Sequence, residues 1–175
     1  MNPLAAVQNM IPKNLSLDGP RNLVRELWDK LAVVPGGKRA FSAVVGRMAP
    51  YTGSIGASVV ELSPGWAKVV LRDRRAVRNH LQCVHAIALA NLAELCGNVA
   101  MAYTLPDDAR FIVAGLSIEY VKKARGLITA TSECPIVDSS AREEFEVPVT
   151  MKDAAGEVVA TATLRTLVGP KRAKR

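Results

Sequence analysis

The hydrophobic pattern changes period along the chain, and each change marks a new kind of element. Leu23, Val24, Leu27 and Leu31 recur at helical spacing. Asp18-Gly19-Pro20 before them reads as a helix entry with proline in the first turn, and Pro35-Gly36-Gly37 stops the pattern. Phe41, Val44, Val45 and Met48 form a second stripe that ends at Pro50. The spacing predicts two N-terminal helices, with a short earlier one around Leu4–Met10. Ser54 to Glu61 is small and β-branched, Ser63-Pro64-Gly65 is a turn signal, and Trp66 to Leu71 resumes a strand pattern, so a hairpin is expected. A polar, basic loop runs from Arg72 to Gln82. The segment from Val84 to Tyr103 is then rich in Ala and Leu and poor in charge. A helix apolar on most faces must be covered. Leu105-Pro106-Asp107-Asp108 ends it.

Beyond that point the period falls to two. In Phe111–Lys122, the residues Ile112, Ala114, Leu116, Ile118 and Tyr120 alternate with Gly115, Ser117 and Glu119, which predicts a strand with the first set on one face. Arg125-Gly126 turns the chain. Leu127–Cys134, Glu143–Lys152 and Glu157–Val168 read as strands, with Asp153-Ala154-Ala155-Gly156 as a hairpin loop. Pro148 inside a strand implies an edge or a bulge. The order is helices, two strands, a long helix and four strands. Hairpin links make the sheet antiparallel and six-stranded, and the apolar helix must lie against it. The fold class is α+β, a curved sheet around a central helix. The chain divides into an N-terminal helical segment (1–50), the sheet-and-helix domain (51–169) and a basic tail (170–175).

Composition narrows the picture. A chain of 175 residues with 49% apolar and 22% charged residues can bury a core without disulfides or metal. Cys83, Cys96 and Cys134 are an odd, sparse set that fits a reducing compartment. The N-terminus has no secretory pattern, and no apolar run approaches the ~18 residues of a membrane span, so a soluble cytoplasmic protein is expected. The formal charge is +7, but Lys171, Arg172, Lys174 and Arg175 supply four of it, leaving +3. Nucleic acid is not an expected partner: aromatic residues are only 5%, which leaves few stacking platforms. Pro35-Gly36-Gly37 with Lys38, Arg39 and Arg47 makes a poor helix-turn-helix. His80, Cys83, His85 and Cys96 match no zinc spacing, and no phosphate-binding glycine loop is present. No cofactor is expected.

The chemistry concentrates in Asn79–Glu94, NHLQCVHAIALANLAE. A lone carboxylate in an apolar helix needs a partner, solvent or a raised pKa, and the last would suit a general base. At the helix start, the N–H groups of Ala86 and Ile87 are expected to be free donors backed by the helix dipole. Such donors hold a carbonyl oxygen as it gains charge. Ala86 and Glu94 are separated by ~12 Å of helix rise. A donor and a base acting on one carbonyl must both lie within ~3–3.5 Å of the reacting atoms. Only two antiparallel copies of the helix meet that requirement, so an active site here would be shared across a two-fold dimer.

These residues resemble the hot-dog fold and, more narrowly, acyl-coenzyme A thioesterases of the phenylacetate-pathway type. That pattern runs Asn, His-Gly-Gly, then an acid eight residues after the first Gly. Asn79, His85, Ala86 and Glu94 stand at those places, and Ile118 through Gly126 resembles the family's strand and turn after the helix. The resemblance covers about Gly53 to Val168 and points to a branch whose members mostly lack an assigned substrate. It implies a homodimer or tetramer that hydrolyses acyl-coenzyme A or acyl-carrier-protein thioesters. Glu94 would be base or nucleophile, the Ala86 N–H the oxyanion donor and Asn79 an orienting group, while His85 would fix the loop. Gln82 and the basic residues Arg75, Arg78, Lys122, Lys123 and Arg125 would meet the coenzyme, its phosphates above all; those charges are equally compatible with a solvated surface. The sequence departs from the pattern at Ala86-Ile87, where glycines would let a thioester approach the backbone. A non-catalytic acyl-binding protein or a ligand-sensing regulator on the same fold is the alternative.

Overall fold

The computed structural model describes residues 19–172. The expected helix around Leu4–Met10 and the end of the basic tail lie outside them. Two N-terminal helices appear, α1 (Leu23–Leu31) and α2 (Gly37–Met48), followed by a single-turn helix α3 (Pro50–Gly53). Strands β1 (Ser58–Ser63) and β2 (Trp66–Leu71) form the hairpin, with Gly65 at φ 72° in its turn. The long helix α4 spans Ala86–Thr104. Strands β3 (Ala109–Tyr120), β4 (Ile128–Glu133), β5 (Glu143–Lys152) and β6 (Val158–Pro170) follow.

Pro20 does not enter α1. The helix starts three residues later because Asn22 caps it, its Oδ1 accepting from Arg25 N at 3.0 Å. The same side chain donates to Ala102 O at 2.7 Å and Leu105 O at 2.9 Å, so one asparagine closes the start of α1 and the end of α4. Leu23, Leu27, Trp28 and Leu31 bury the inner face of α1, and Trp28 meets Phe41 of α2 edge-on at 5.1 Å between ring centroids.

The six strands form one antiparallel sheet in the order β1-β2-β4-β5-β6-β3. Helix α4 touches every strand, which is the sheet-wrapped helix of the hot-dog fold. Gly97 shows how close the approach is. A Cβ there would stand 3.0 Å from Leu164 and 3.3 Å from Val147, so the helix backbone lies directly on β5 and β6. By length and composition α4 could cross a membrane, contrary to the expectation that no run approaches that length. Most of it is buried inside the protein, where the sheet occupies its apolar faces.

Two strand expectations need correction. In β3 Ile112 faces outward, 66% exposed, while Ala109, Phe111 and Val113 turn inward. A register shift between Val113 and Gly115 then swaps the faces, so Leu116, Ile118 and Tyr120 lie on the side of their partners Leu164, Ala162 and Ala160, the side that meets α4. Pro148 lies neither in an edge strand nor at a bulge. Its strand is flanked by β4 and β6, but the β4 ladder ends at the Ser132–Val149 pair, so the missing N–H falls where that neighbour has stopped.

The two outer edges of the sheet are treated differently. On β1, Lys38 Nζ donates to Val60 O at 2.7 Å and Ser42 Oγ accepts from Val59 N at 2.9 Å, so α2 covers that edge. The β3 edge carries no such cover among the described residues, and 12 residues of strand border it.

Candidate active site

The candidate site is built at the N-terminus of α4. The loop before it is held by its own side chains. Asn79 Oδ1 accepts from Leu81 N at 2.9 Å, Cys83 N at 3.4 Å and Cys83 Sγ at 3.3 Å, and Asn79 N donates to Cys83 O at 2.9 Å. Gln82 takes φ 54° to close this turn and is exposed. The Asn79 carbonyl oxygen therefore serves the loop, leaving Nδ2 as the group free to face a ligand among the described residues. Val84 N donates to Ala124 O and His85 N to Val77 O, which pins the helix entry to both flanking segments.

His85 is the cap of α4. Its Nδ1 accepts from Ile87 N at 3.1 Å. That bond corrects one expectation: the Ile87 N–H is not free. The Ala86 N–H has no acceptor among the described residues. Tyr120 Oη donates to Ala86 O at 3.0 Å and so ties the end of β3 to this turn, and burial pushes the phenol's pKa up. Sequence reasoning placed Tyr120 only as a packing residue of a strand.

Apart from Ala86 and Tyr103 in its two end turns, the incompletely buried positions of α4 are Ile87, Ala90, Glu94, Asn98 and Ala102, spaced by three or four residues. They form the one stripe the sheet does not cover. Glu94 lies at its middle, half-buried, with no hydrogen bond or ion pair among the described residues. Asn98, a turn further on, and Asn91, on the flank, each carry a buried side-chain oxygen without a donor. Sequence reasoning missed both amides, because an asparagine in a helix gives no signal of which face it occupies.

The basic residues separate into two groups. Arg78 Nε is paired with Asp73 at 2.6 Å, and the same carboxylate accepts from Gly126 N at 3.0 Å. Arg78 and then the Gly126 amide hold the Asp73 carboxyl below its usual range. Lys122 is paired with Asp153 at 2.8 Å and with Glu157, and both raise its pKa. These two cations are committed to the protein's own carboxylates, which weakens their candidacy as phosphate ligands. Arg75, Lys123 and Arg125 are exposed and unpaired among the described residues. Cys96 is buried, its thiol pushed up to about 12 by desolvation, and is a packing residue. Among the described residues no cluster of His, Cys, Asp or Glu could hold a metal.

Residues 37–168 match a family described as a domain of unknown function, DUF4442. The structural-genomics target APC5556 has 34% sequence identity and a TM-score of 0.73, over 84% of this chain and 98% of that one. PA5026 of Pseudomonas aeruginosa, a protein of unknown function called a probable thioesterase, has 19% identity and a TM-score of 0.68 over 74% of this chain and 93% of that one. The PaaI protein of the Escherichia coli phenylacetic acid degradation operon has 15% identity and a TM-score of 0.57 over 72% and 92%. No curated protein matches. The two more distant likenesses bear on architecture alone, and that architecture is the sheet-wrapped helix described above. The chain belongs to the DUF4442 family and has the hot-dog fold of the thioesterase-like proteins.

Proposed function

We propose that the protein is a thioesterase acting on acyl-coenzyme A or acyl-carrier-protein thioesters, with its site shared across a homodimer. One observation carries this reading. A free amide at Ala86 and an unpartnered carboxylate at Glu94 lie on the same buried helix, which the sheet leaves open along that stripe. The mechanism needs both groups at one carbonyl. The Ala86 N–H of one subunit holds the thioester oxygen as it becomes an oxyanion, with the helix dipole behind it. Glu94 of the other subunit takes a proton from the attacking water, or attacks the carbonyl itself to form an anhydride that water then cleaves. In the first route the thiolate leaves with the proton returned from the Glu94 carboxyl group; in the second it leaves as the thiolate and is protonated by solvent, and hydrolysis of the anhydride releases the acid and restores the Glu94 carboxylate. Asn79, through Nδ2, orients the substrate, and His85 holds the helix entry. Arg75, Lys123 and Arg125 are the cations available to the substrate's phosphates.

The uncovered β3 edge supports the dimer. Two β3 edges pairing antiparallel would satisfy both rows of backbone groups and bury Leu116 and Tyr120. The same pairing would set the two α4 helices antiparallel.

The test is release of free thiol from a panel of acyl-coenzyme A and acyl-carrier thioesters by the purified protein. Turnover of at least one class supports the reading. Tight binding of the panel with no hydrolysis would make this an acyl-binding protein. Ile87 favours that second reading, since its 54% exposed side chain stands where a thioester would approach.

A further inference from the structure

The sheet carries a second polar surface, on the face turned away from α4. Arg110 and Ile112 alternate with the inward Ala109, Phe111 and Val113, so their side chains stand on the outer face of β3. In register, Arg110 lies opposite Gly169 of β6, and Ile112 lies opposite Leu167. Arg142 reaches the same place from the approach to β5. Its Cγ stands 3.6 Å from where a Gly169 Cβ would be. The glycine therefore leaves an open floor with an arginine on either side. These residues and Arg172 line one surface hollow of about 710 Å³.

Arg110, Arg142 and Arg172 take part in none of the ion pairs among the described residues. Two glutamates also line the hollow, but neither answers this charge. Glu144 is bound to Arg165 at 3.2 Å. Glu143 pairs in register with the buried Val168, which puts it on the inner face. The sequence adds Lys171, Lys174 and Arg175 directly after β6. Like charges gathered without a counter-charge repel one another, and a partner that supplies the counter-charge removes that cost. Beside them Ile112 and Leu167, opposite each other in the ladder, are both exposed. Cations around an exposed apolar pair suit an anionic lipid surface, whose phosphates meet the cations and whose interface takes up the apolar groups. Nucleic acid would leave Ile112 and Leu167 uncovered. It would also find no aromatic platform, since Phe111, which borders the hollow, turns inward. We propose that this outer face of β3 and β6 docks the protein on an anionic membrane surface. Arg110, Arg142 and Arg172 meet lipid phosphates, and Ile112 and Leu167 enter the interface. The open stripe of α4 lies on the other side of the sheet, so docking is separate from the candidate active site. Pairing of two β3 edges joins backbones in the plane of the sheet, leaves these side chains exposed, and sets both copies of the patch on one side. Two linked patches would then face one membrane together.

The experiment is flotation of the full chain with vesicles of phosphatidylcholine, alone or mixed equally with phosphatidylglycerol. At about 0.1 M salt the protein should float with the mixed vesicles and not with phosphatidylcholine, and about 1 M salt should release most of it. Each basic residue near such a surface contributes about fivefold to binding, so Arg110→Gln combined with Arg142→Gln should weaken it by on the order of tenfold or more. Gly169→Glu sets a carboxylate between the two arginines and should weaken binding at least as much. Its new Cβ makes only an ordinary contact with Arg142, so the strand tolerates it. Ile112→Ser should weaken binding about fivefold. None of these positions belongs to the candidate site, so circular dichroism and any thioester hydrolysis should match the wild type. No binding to the mixed vesicles, or equal binding to both kinds, would overturn the proposal. So would a double arginine variant that binds like the wild type while removal of residues 173–175 abolishes binding, because the charge would then act from the tail alone. Duplex DNA that strips the protein from mixed vesicles at equal phosphate concentration would likewise overturn it, and would put nucleic acid in place of lipid.

Discussion

The two ends of α4 are finished in opposite ways. At the C-terminal end the polar side chains and several of the last carbonyls have partners. Asn22 Nδ2 closes Ala102 O and Leu105 O, Thr104 Oγ1 donates to Ala100 O at 2.8 Å, and Tyr103 Oη donates to Asp29 at 2.9 Å. Asp107, just beyond, accepts from Asn22 N and Arg25. The N-terminal half carries the opposite pattern: a free amide at Ala86, an unpartnered carboxylate at Glu94 and an open side-chain oxygen on Asn91. A protein that satisfies one end of a helix so thoroughly is capable of satisfying the other. Under the proposed function the open end is the part kept for a ligand, and the closed end is the part that holds the fold.

If that division is correct, substitutions at the two ends should move different observables. Glu94→Gln should lower hydrolysis by about 10²–10⁴-fold, the range for a general base, and leave the melting temperature unchanged. Unchanged turnover would move the chemistry elsewhere. Ala86→Pro should cost about 10²–10³-fold in kcat by removing one oxyanion donor. Proline suits this first helical position, and His85, at φ −64° and ψ 140°, already has the extended backbone required before proline, so circular dichroism should show an intact fold. At the closed end, Asn22→Ala should lose ~1–3 kcal/mol in denaturant unfolding, because it strips the α1 cap and two buried carbonyl partners. Its kcat should not change; a kcat effect as large as that of Glu94→Gln would break the comparison.

The smallest effect concerns acid. The amide of Asn22, and then Arg25, hold the Asp107 carboxyl below its ordinary range. A depressed carboxylate contributes stability that is complete above its unfolded pKa, roughly 3.9, and is lost as pH falls through the folded value. Asp107→Asn should flatten that acid limb slightly, since the side chain is 54% exposed and well screened. Melting curves between about pH 2 and 5 would show it.

Much of the fold was legible because its signals are local. The helical stripe Leu23–Leu31, the Ser63-Pro64-Gly65 turn, and the bounds of Glu143–Lys152 follow from period and turn chemistry. The misreadings arose where a local pattern had two solutions. In β3 the bulge after Val113 swaps the faces, so alternation could not say that Ile112 and Leu116 lie on opposite sides of the sheet. Pro148 signalled an interrupted ladder, and only the length of β4 shows where the interruption falls. The candidate site was legible in part for the same reason. His85 at the helix entry and Glu94 in an apolar helix stand out in one dimension, whereas Arg78 and Lys122 look as free as Arg75 until Asp73, Asp153 and Glu157 are placed beside them.

The sequence by itself determined the elements, their order, the sheet-and-helix layering and the lone acid in the central helix, since each depends on spacing within a few residues. Tertiary structure alone decided which polar groups are already spent. Asn22 reaches across 80 residues to close Ala102, Tyr120 reaches across 34 to hold Ala86, and Asn91 reaches Tyr51, 40 residues back, leaving its own oxygen unpaired. A hydrogen bond or ion pair consumes a group wherever its partner lies in the chain, so the free groups that mark a site can be counted only after the chain has folded.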